Sequence, residues 1–250
     1  MSHEPARIES LFTRLGRLAG PAARRATWVY RSFAGTPEEA VGAEYAAGCD
    51  LARSVIEQLG IDPEAEAATR RLDEILGRLA AELRPPRRRF SVRIVRSPAP
   101  NAFALPGGFL FVTRPLIDLQ AWDPAEAAFL LGHEIGHVVR GHALDRMLTS
   151  TFINAASQLI PVRGALRPYV ASFLSELLQK GYSRDQELEA DTTGVRLARQ
   201  AGFDPEGAVR LLTALGGHTT GNRGPLPFLA SHPPLDERVR HIRRSVTRRS

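Results

Sequence analysis

His133-Glu134-Ile135-Gly136-His137 sets two imidazoles four residues apart, with a carboxylate directly after the first. On a helix, positions i and i+4 share one face. Both rings can then bind a single Zn²⁺ at about 2.0–2.1 Å, the usual zinc–nitrogen distance. Glu134, one step round the helix, stands beside the metal without binding it. There it can take a proton from the attacking water and hand it to a leaving amine, as amide hydrolysis requires. The same pentapeptide also fits two surface histidines on an ordinary amphipathic helix, so its surroundings must be weighed.

A catalytic zinc needs a third protein ligand and one coordination position left for water. The run Ser183-Arg184-Asp185-Gln186-Glu187-Leu188-Glu189-Ala190-Asp191 is helix-like, with Glu187 and Asp191 at i and i+4. Glu187 is the candidate third ligand. Asp191 can reach back to a ligating histidine, where a carboxylate fixes the tautomer and raises basicity. Glu189 points elsewhere and is the weaker candidate. In isolation the segment reads as a solvated acidic face; beside an H-E-x-x-H helix the metal reading is favoured.

Four segments together resemble the M48 type of zinc metallopeptidase, a gluzincin group. The first is Asn101-Ala102-Phe103-Ala104-Leu105-Pro106-Gly107-Gly108-Phe109-Leu110-Phe111-Val112-Thr113. The second is Gly132-His133-Glu134-Ile135-Gly136-His137-Val138, with His142 five residues past the second histidine. The third is Glu187-Leu188-Glu189-Ala190-Asp191, and the fourth is Ser231-His232-Pro233-Pro234-Leu235-Asp236-Glu237-Arg238, an H-P-x-x-x-x-R pattern. The resemblance covers residues 36–242.

It implies one Zn²⁺ per chain on His133, His137 and Glu187, with Glu134 as general base and acid and Asp191 orienting a ligand. It also implies that the 101–112 segment is an edge strand along the cleft. There Asn101, Ala102, Phe103, Ala104, Gly107 and Gly108 would let a substrate chain add as a further strand. Recognition of that kind is mostly main-chain hydrogen bonding and tolerates varied sequences. In BepA-like members the residue matching His232 can take the fourth zinc position and hold the enzyme latent. The competing readings of His232 are a transition-state donor and a structural histidine before Pro233-Pro234. Arg238 could steady the site or bind a substrate carbonyl, and Tyr182 is a second candidate cleft donor. His142 is expected to pack or hydrogen-bond near the site, and His3, His218 and His241 to face solvent.

These residues need elements to hold them. Thr36-Pro37-Glu38-Glu39 predicts a helix start with a capping box, running toward Leu59-Gly60, and Asp62-Pro63-Glu64 starts a second that ends before Pro85-Pro86. Residues 90–95 alternate as a strand, expected to pair with the 101–112 hairpin around its Pro106-Gly107-Gly108 turn. Asp123 is the expected N-cap of the H-E-x-x-H helix, Pro124 its first position and Glu126 the completion of a capping box. Residues 152–160 and 166–178 read as two core helices, or, on the resemblance, as a plug over the cleft or a membrane-facing element. Neither reaches the ~18 apolar residues of a bilayer span. A helix carries Glu187, and another covers 204–215. The expected fold is α+β, mostly α-helical: a zincin-like metallopeptidase domain over 36–250 with a small β-sheet, preceded by a basic helical extension over 1–35.

Composition agrees with one enzyme domain. The chain of 250 residues is 43% hydrophobic, enough for a full core, and has no internal repeat. The formal net charge is +6, yet of 33 basic residues only Lys180 is lysine. That arginine bias, without aromatic interleaving or any nucleic-acid motif, gives no reason to expect nucleic acid as a partner. Leu11, Phe12, Leu15 and Leu18 among the early arginines fit either a basic amphipathic helix on anionic lipid or a solvated helix packed on the domain. Residues 1–35 hold no continuous apolar run, and Cys49, alone in the chain, reads as a small buried hydrophobe. A cytoplasmic, optionally membrane-peripheral, location is expected. Two functions follow: a zinc endopeptidase acting on unfolded or misfolded polypeptide, or a chaperone-like polypeptide binder with structural zinc. Glu134 favours the first, because a structural site needs no base beside it.

Overall fold

The computed structural model describes residues 36–84, 88–119, 123–149, 181–217 and 235–247. The basic stretch 1–35, the apolar segments 152–160 and 166–178, and His3, His218 and His232 lie outside the described residues. Helix α1 (Pro37–Leu59) starts at the expected capping box: the Thr36 hydroxyl accepts from the Glu39 N–H, and the Glu39 carboxylate from the Thr36 N–H. It ends at Gly60, whose φ of 73° is open to glycine. A short 3₁₀ turn (Pro63–Ala65), capped by Asp62, leads into α2 (Glu66–Ala81).

Three strands follow: β1 (Ser91–Val95), β2 (Ala102–Leu105) and β3 (Phe109–Thr113). Their order is β1-β3-β2, with β1 parallel and β2 antiparallel to β3. The 101–112 segment is therefore not an edge as a whole. Its second half is the centre of the sheet, because β3 pairs with β1 on its other side, and within the segment only β2 lies at an edge. Within β2 the pairing has a definite phase. Thr113 N–H donates to the Asn101 carbonyl at 2.9 Å. Stepping along the register, Phe103 and Leu105 turn their main-chain groups toward β3, while Ala102 and Ala104 turn theirs outward. The Asn101 side-chain oxygen accepts from the Ala102 N–H at 2.9 Å.

Side chains alternate across this sheet. Phe103, Leu105 and Phe111 join Leu51 and Val55 of α1 on one face, and Ala102, Ala104, Leu110 and Val112 join the main core on the other. Helix α1 also anchors the β2–β3 turn. Gly48 lies so close that a Cβ there would sit 1.9 Å from the Pro106 carbonyl oxygen. Buried Glu44 accepts from the Gly107 N–H at 3.0 Å and pairs with Arg88.

After the short α3 (Arg114–Leu119) comes α4 (Pro124–Val139), which carries H-E-x-x-H. Asp123 caps it by accepting from the Ala125 N–H at 2.9 Å. Glu126 does not complete a capping box; its carboxylate faces Arg210 at 3.8 Å, drawn by the cation on a neighbouring helix. Every residue of α4 from Ala127 to Val138 is buried, so the helix is central and not amphipathic. That excludes the reading of His133 and His137 as surface histidines. Helices α5 (His142–Thr149), α6 (Arg184–Gln200), α7 (Gly207–Gly217) and α8 (Leu235–Thr247) complete the described chain. The fold is α+β, mostly helical, with a small mixed sheet. Among the described residues no helix is long and apolar enough to cross a membrane.

Two smaller expectations fail. His241 is half-buried on α8, 2.9 Å from the Thr192 hydroxyl, because α8 packs along α6 instead of trailing into solvent. Cys49 is half-buried, since α1 turns Gly48 and Leu51, not Cys49, toward the sheet.

Candidate active site

Backbone-to-backbone contact between α4 and α6 builds the site. Added Cβ atoms at Gly132 and Gly136 would meet the Cα atoms of Gly194 and Ala190 at 3.0 and 2.9 Å. Only very small residues allow two helices to cross this closely. The crossing brings Glu187 of α6 over the two histidines of α4. His133 Nε2 and His137 Nε2 are 3.0 Å apart, and the Glu187 oxygens lie 3.4 Å from His137 Nε2 and 3.7 Å from His133 Nε2. Ligands at about 2.0–2.1 Å around a tetrahedral ion stand roughly 3.3 Å apart, so this triangle has the size of one metal ion. Among the described residues, His133, His137 and Glu187 are the group whose ligand atoms all lie within 4.8 Å of one another. All three are buried, as is Glu134 beside them.

His133 is held from behind by charge. Asp191, one turn after Glu187, sets Oδ1 2.9 Å from His133 Nδ1. Arg238 of α8 donates Nε and Nη2 to the two Asp191 oxygens at 2.9 and 2.7 Å, and Nη1 lies 3.2 Å from Glu187. Burial pushes the Asp191 carboxyl up, but the Arg238 charge and the His133 and Arg238 hydrogen bonds outweigh it and hold it well below the usual carboxylate range. Burial works against the Arg238 charge, but Asp191, Glu187 and Glu134 keep the guanidinium protonated.

His137 is held by rings. The Tyr182 phenol stacks on it, centroids 3.7 Å apart and planes 15° apart, with the Arg146 guanidinium 4.6 Å from the Tyr182 ring centroid. Burial drives the phenol pKa upward, keeping it neutral. His142 lies at the other edge of His137, Nδ1 to Nδ1 at 3.1 Å, and its Nε2 is 3.4 Å from Glu189. Burial lowers the His142 pKa against the pull of Glu189.

The residues singled out in the sequence thus separate into groups. His133, Glu134, His137, Glu187 and Asp191 converge, with Arg238 beneath them and Tyr182 against His137. Asn101, Ala102, Phe103 and Ala104 lie along β2, which packs on α4. Gly107 and Gly108 form its turn, at φ 83° and 93°. The contact of Glu189 with His142 was not legible: two positions from Glu187 it leaves the metal face, and it meets His142 only because Gly141, at φ 80°, turns the chain back into α5.

An α+β fold whose metal triad sits where an H-E-x-x-H helix crosses an acidic helix defines a class of metallopeptidase-like domain. Residues 66–246 match peptidase family M48, and the chain belongs to that family. It is 29% identical over 184 residues to the mitochondrial metalloendopeptidase OMA1 of Schizosaccharomyces pombe, covering 72% of this chain and 53% of that protein. It is 33% identical over 151 residues to the metalloprotease YcaL of Escherichia coli, covering 57% of each. Against the OMA1 metalloendopeptidase of Homo sapiens it is 30% identical over 173 residues, 62% of this chain and 32% of that one. The chain spans about a third to somewhat over half the length of these relatives.

Proposed function

We propose that this chain is a zinc-dependent endopeptidase that hydrolyses peptide bonds in unfolded or misfolded polypeptide. The observation that carries the reading is the buried His133–His137–Glu187 triangle of single-ion size with Glu134 beside it. Two imidazoles and a carboxylate are the donor set of a catalytic zinc with a fourth position left open. Bound there, zinc would polarise the scissile carbonyl and ease deprotonation of water. Glu134 takes the proton from that water and returns it to the leaving amine. Asp191 keeps the His133 proton on Nδ1, so that Nε2 presents its lone pair to the metal. The substrate adds along β2 beside Ala104. Ala102 and Ala104 are buried in this structure and the Ala102 N–H is held by Asn101, so this edge has to open before a substrate strand can pair with it.

His232, as a fourth ligand, would leave no position for water and keep the enzyme latent until its loop moves. The basic 1–35 stretch supplies peripheral contact with anionic lipid for a cytoplasmic domain. Both belong to the proposal and have separate tests: His232→Ala should cleave faster, and removal of residues 1–35 should end co-sedimentation with anionic vesicles.

The primary test is cleavage of unfolded casein by zinc-loaded protein and by Glu134→Gln at equal zinc content. The wild type should cleave, and the variant should keep its zinc while losing about 10²–10⁴-fold in rate. If both bind zinc and neither cleaves, even with His232→Ala, the endopeptidase reading falls and a chaperone-like binder takes its place.

A further inference from the structure

We propose that Glu189 and His142 are a positioning pair for His137, a second carboxylate–imidazole support alongside Asp191 and His133. The inference rests on the metal-site reading above. His137 and His142 meet through the same kind of atom, Nδ1 to Nδ1 at 3.1 Å. Of two such nitrogens one must donate and the other accept. His137 turns Nε2 toward His133 and Glu187, where a ligand must offer a lone pair, so its proton sits on Nδ1 and is donated to His142. His142 then accepts on Nδ1 and carries its own proton on Nε2, the atom that faces the Glu189 carboxylate at 3.4 Å. Glu189 thus favours the one His142 tautomer that can receive the His137 proton. With the opposite tautomer, two N–H groups would confront each other and His137 would be pushed from its orientation.

The fold puts effort into this contact. Gly141, at φ 80°, reverses the chain directly after α4, so that His142 opens α5 and is buried against the end of the helix it has just left. The two supports differ in access: Asp191 is sealed inside, whereas the Glu189 side chain is 52% exposed. It can therefore be changed with little effect on folding, which makes the pair open to direct test.

The test is zinc affinity by competition with a chromogenic chelator, together with the visible spectrum of the cobalt-substituted protein and the melting temperature of the metal-free protein. It compares the wild type with His142→Ala, Glu189→Ala and Glu189→Gln. His142→Ala should bind zinc about 10–100-fold more weakly, with altered cobalt bands. Glu189→Ala should weaken binding by a smaller factor at an unchanged metal-free melting temperature. Glu189→Gln should rescue it, because an amide oxygen still accepts from Nε2–H. Unchanged zinc affinity and cobalt spectra in His142→Ala and Glu189→Ala, or a Gln variant as impaired as the Ala variant, would overturn the proposal. If His142→Ala does not fold, the Ala and Gln variants of Glu189 decide the matter alone. A wild type that binds no zinc overturns this inference and the proposed function together; a zinc-binding wild type with indifferent variants overturns this inference only.

Discussion

His133 and His137 stand one helical turn apart, yet their surroundings have little in common. Behind His133 are a carboxylate and a guanidinium, Asp191 and Arg238, both buried and bonded to each other. Behind His137 are a stacked phenol and a second imidazole, with charge only beyond those rings, on Arg146 and Glu189. The difference teaches how a closed interior can hold a metal site. Buried charges require complete pairing, and removing one partner strands the other. Neutral rings hold orientation through stacking and a single hydrogen bond, each worth about 1 kcal/mol, so they tolerate loss. The charged side carries the integrity of the site, and the ring side its adjustment.

This contrast breaks most sharply at Arg238. Arg238→Met should destabilise the metal-free protein by about 3–5 kcal/mol in urea unfolding, the cost of an uncompensated buried charge. The double variant Arg238→Met/Asp191→Leu should recover part of that loss, and equal losses in both would remove charge pairing as the explanation. A smaller effect is expected at the helix crossing. Gly136→Ala forces a Cβ against the Ala190 backbone and should cost about 1–3 kcal/mol, with zinc binding weakened in the same variant. On the ring side, Tyr182→Leu removes the stack and should cost only about 0.5–1.5 kcal/mol, while Tyr182→Phe, which keeps it, should stay near wild type in thermal melting.

The least effect lies at the outer end of α4, remote from both histidines. The Ala125 N–H that Asp123 caps is the largest influence on its carboxyl and, with Arg210, holds it below the usual range. A carboxylate with a lowered folded-state pKa stabilises the fold above its unfolded value of 3.8, and that contribution disappears as pH falls through the folded value. Asp123→Asn keeps a capping oxygen but does not titrate there. The wild type should therefore lose stability relative to this variant as pH drops below about 4, a difference read from melting curves across pH; parallel curves would remove the cap as a titrating contributor.

Much of this was legible in the chain itself. Thr36 with Glu39, Asp62 and Asp123 mark helix starts because capping is a local hydrogen-bonding matter. His133, His137, Glu187 and Asp191 could be assigned to faces because helical spacing is local too. The parallel return of β1 onto β3 was not legible, since strand order depends on contacts between distant segments, and it reassigned half of the 101–112 segment from edge to centre. Nor was the packing of α8 foreseen. The H-P-x-x-x-x-R pattern marked Arg238 as a residue that could steady the site, but only packing against α6 shows it turned inward onto Asp191 while Arg240 and Arg243 stay outside.

What the sequence alone determined, then, is the donor chemistry: two imidazoles and a carboxylate on one helix, two acids a turn apart on another, and glycines and alanines where those helices must touch. What only the tertiary structure decided is which of those groups meet. The close crossing at Gly132, Gly136 and Gly194, the Gly141 reversal and the docking of α8 each join residues far apart in the chain. Helical periodicity specifies the direction of a side chain, but its partners depend on which surfaces exclude water from one another when the chain closes.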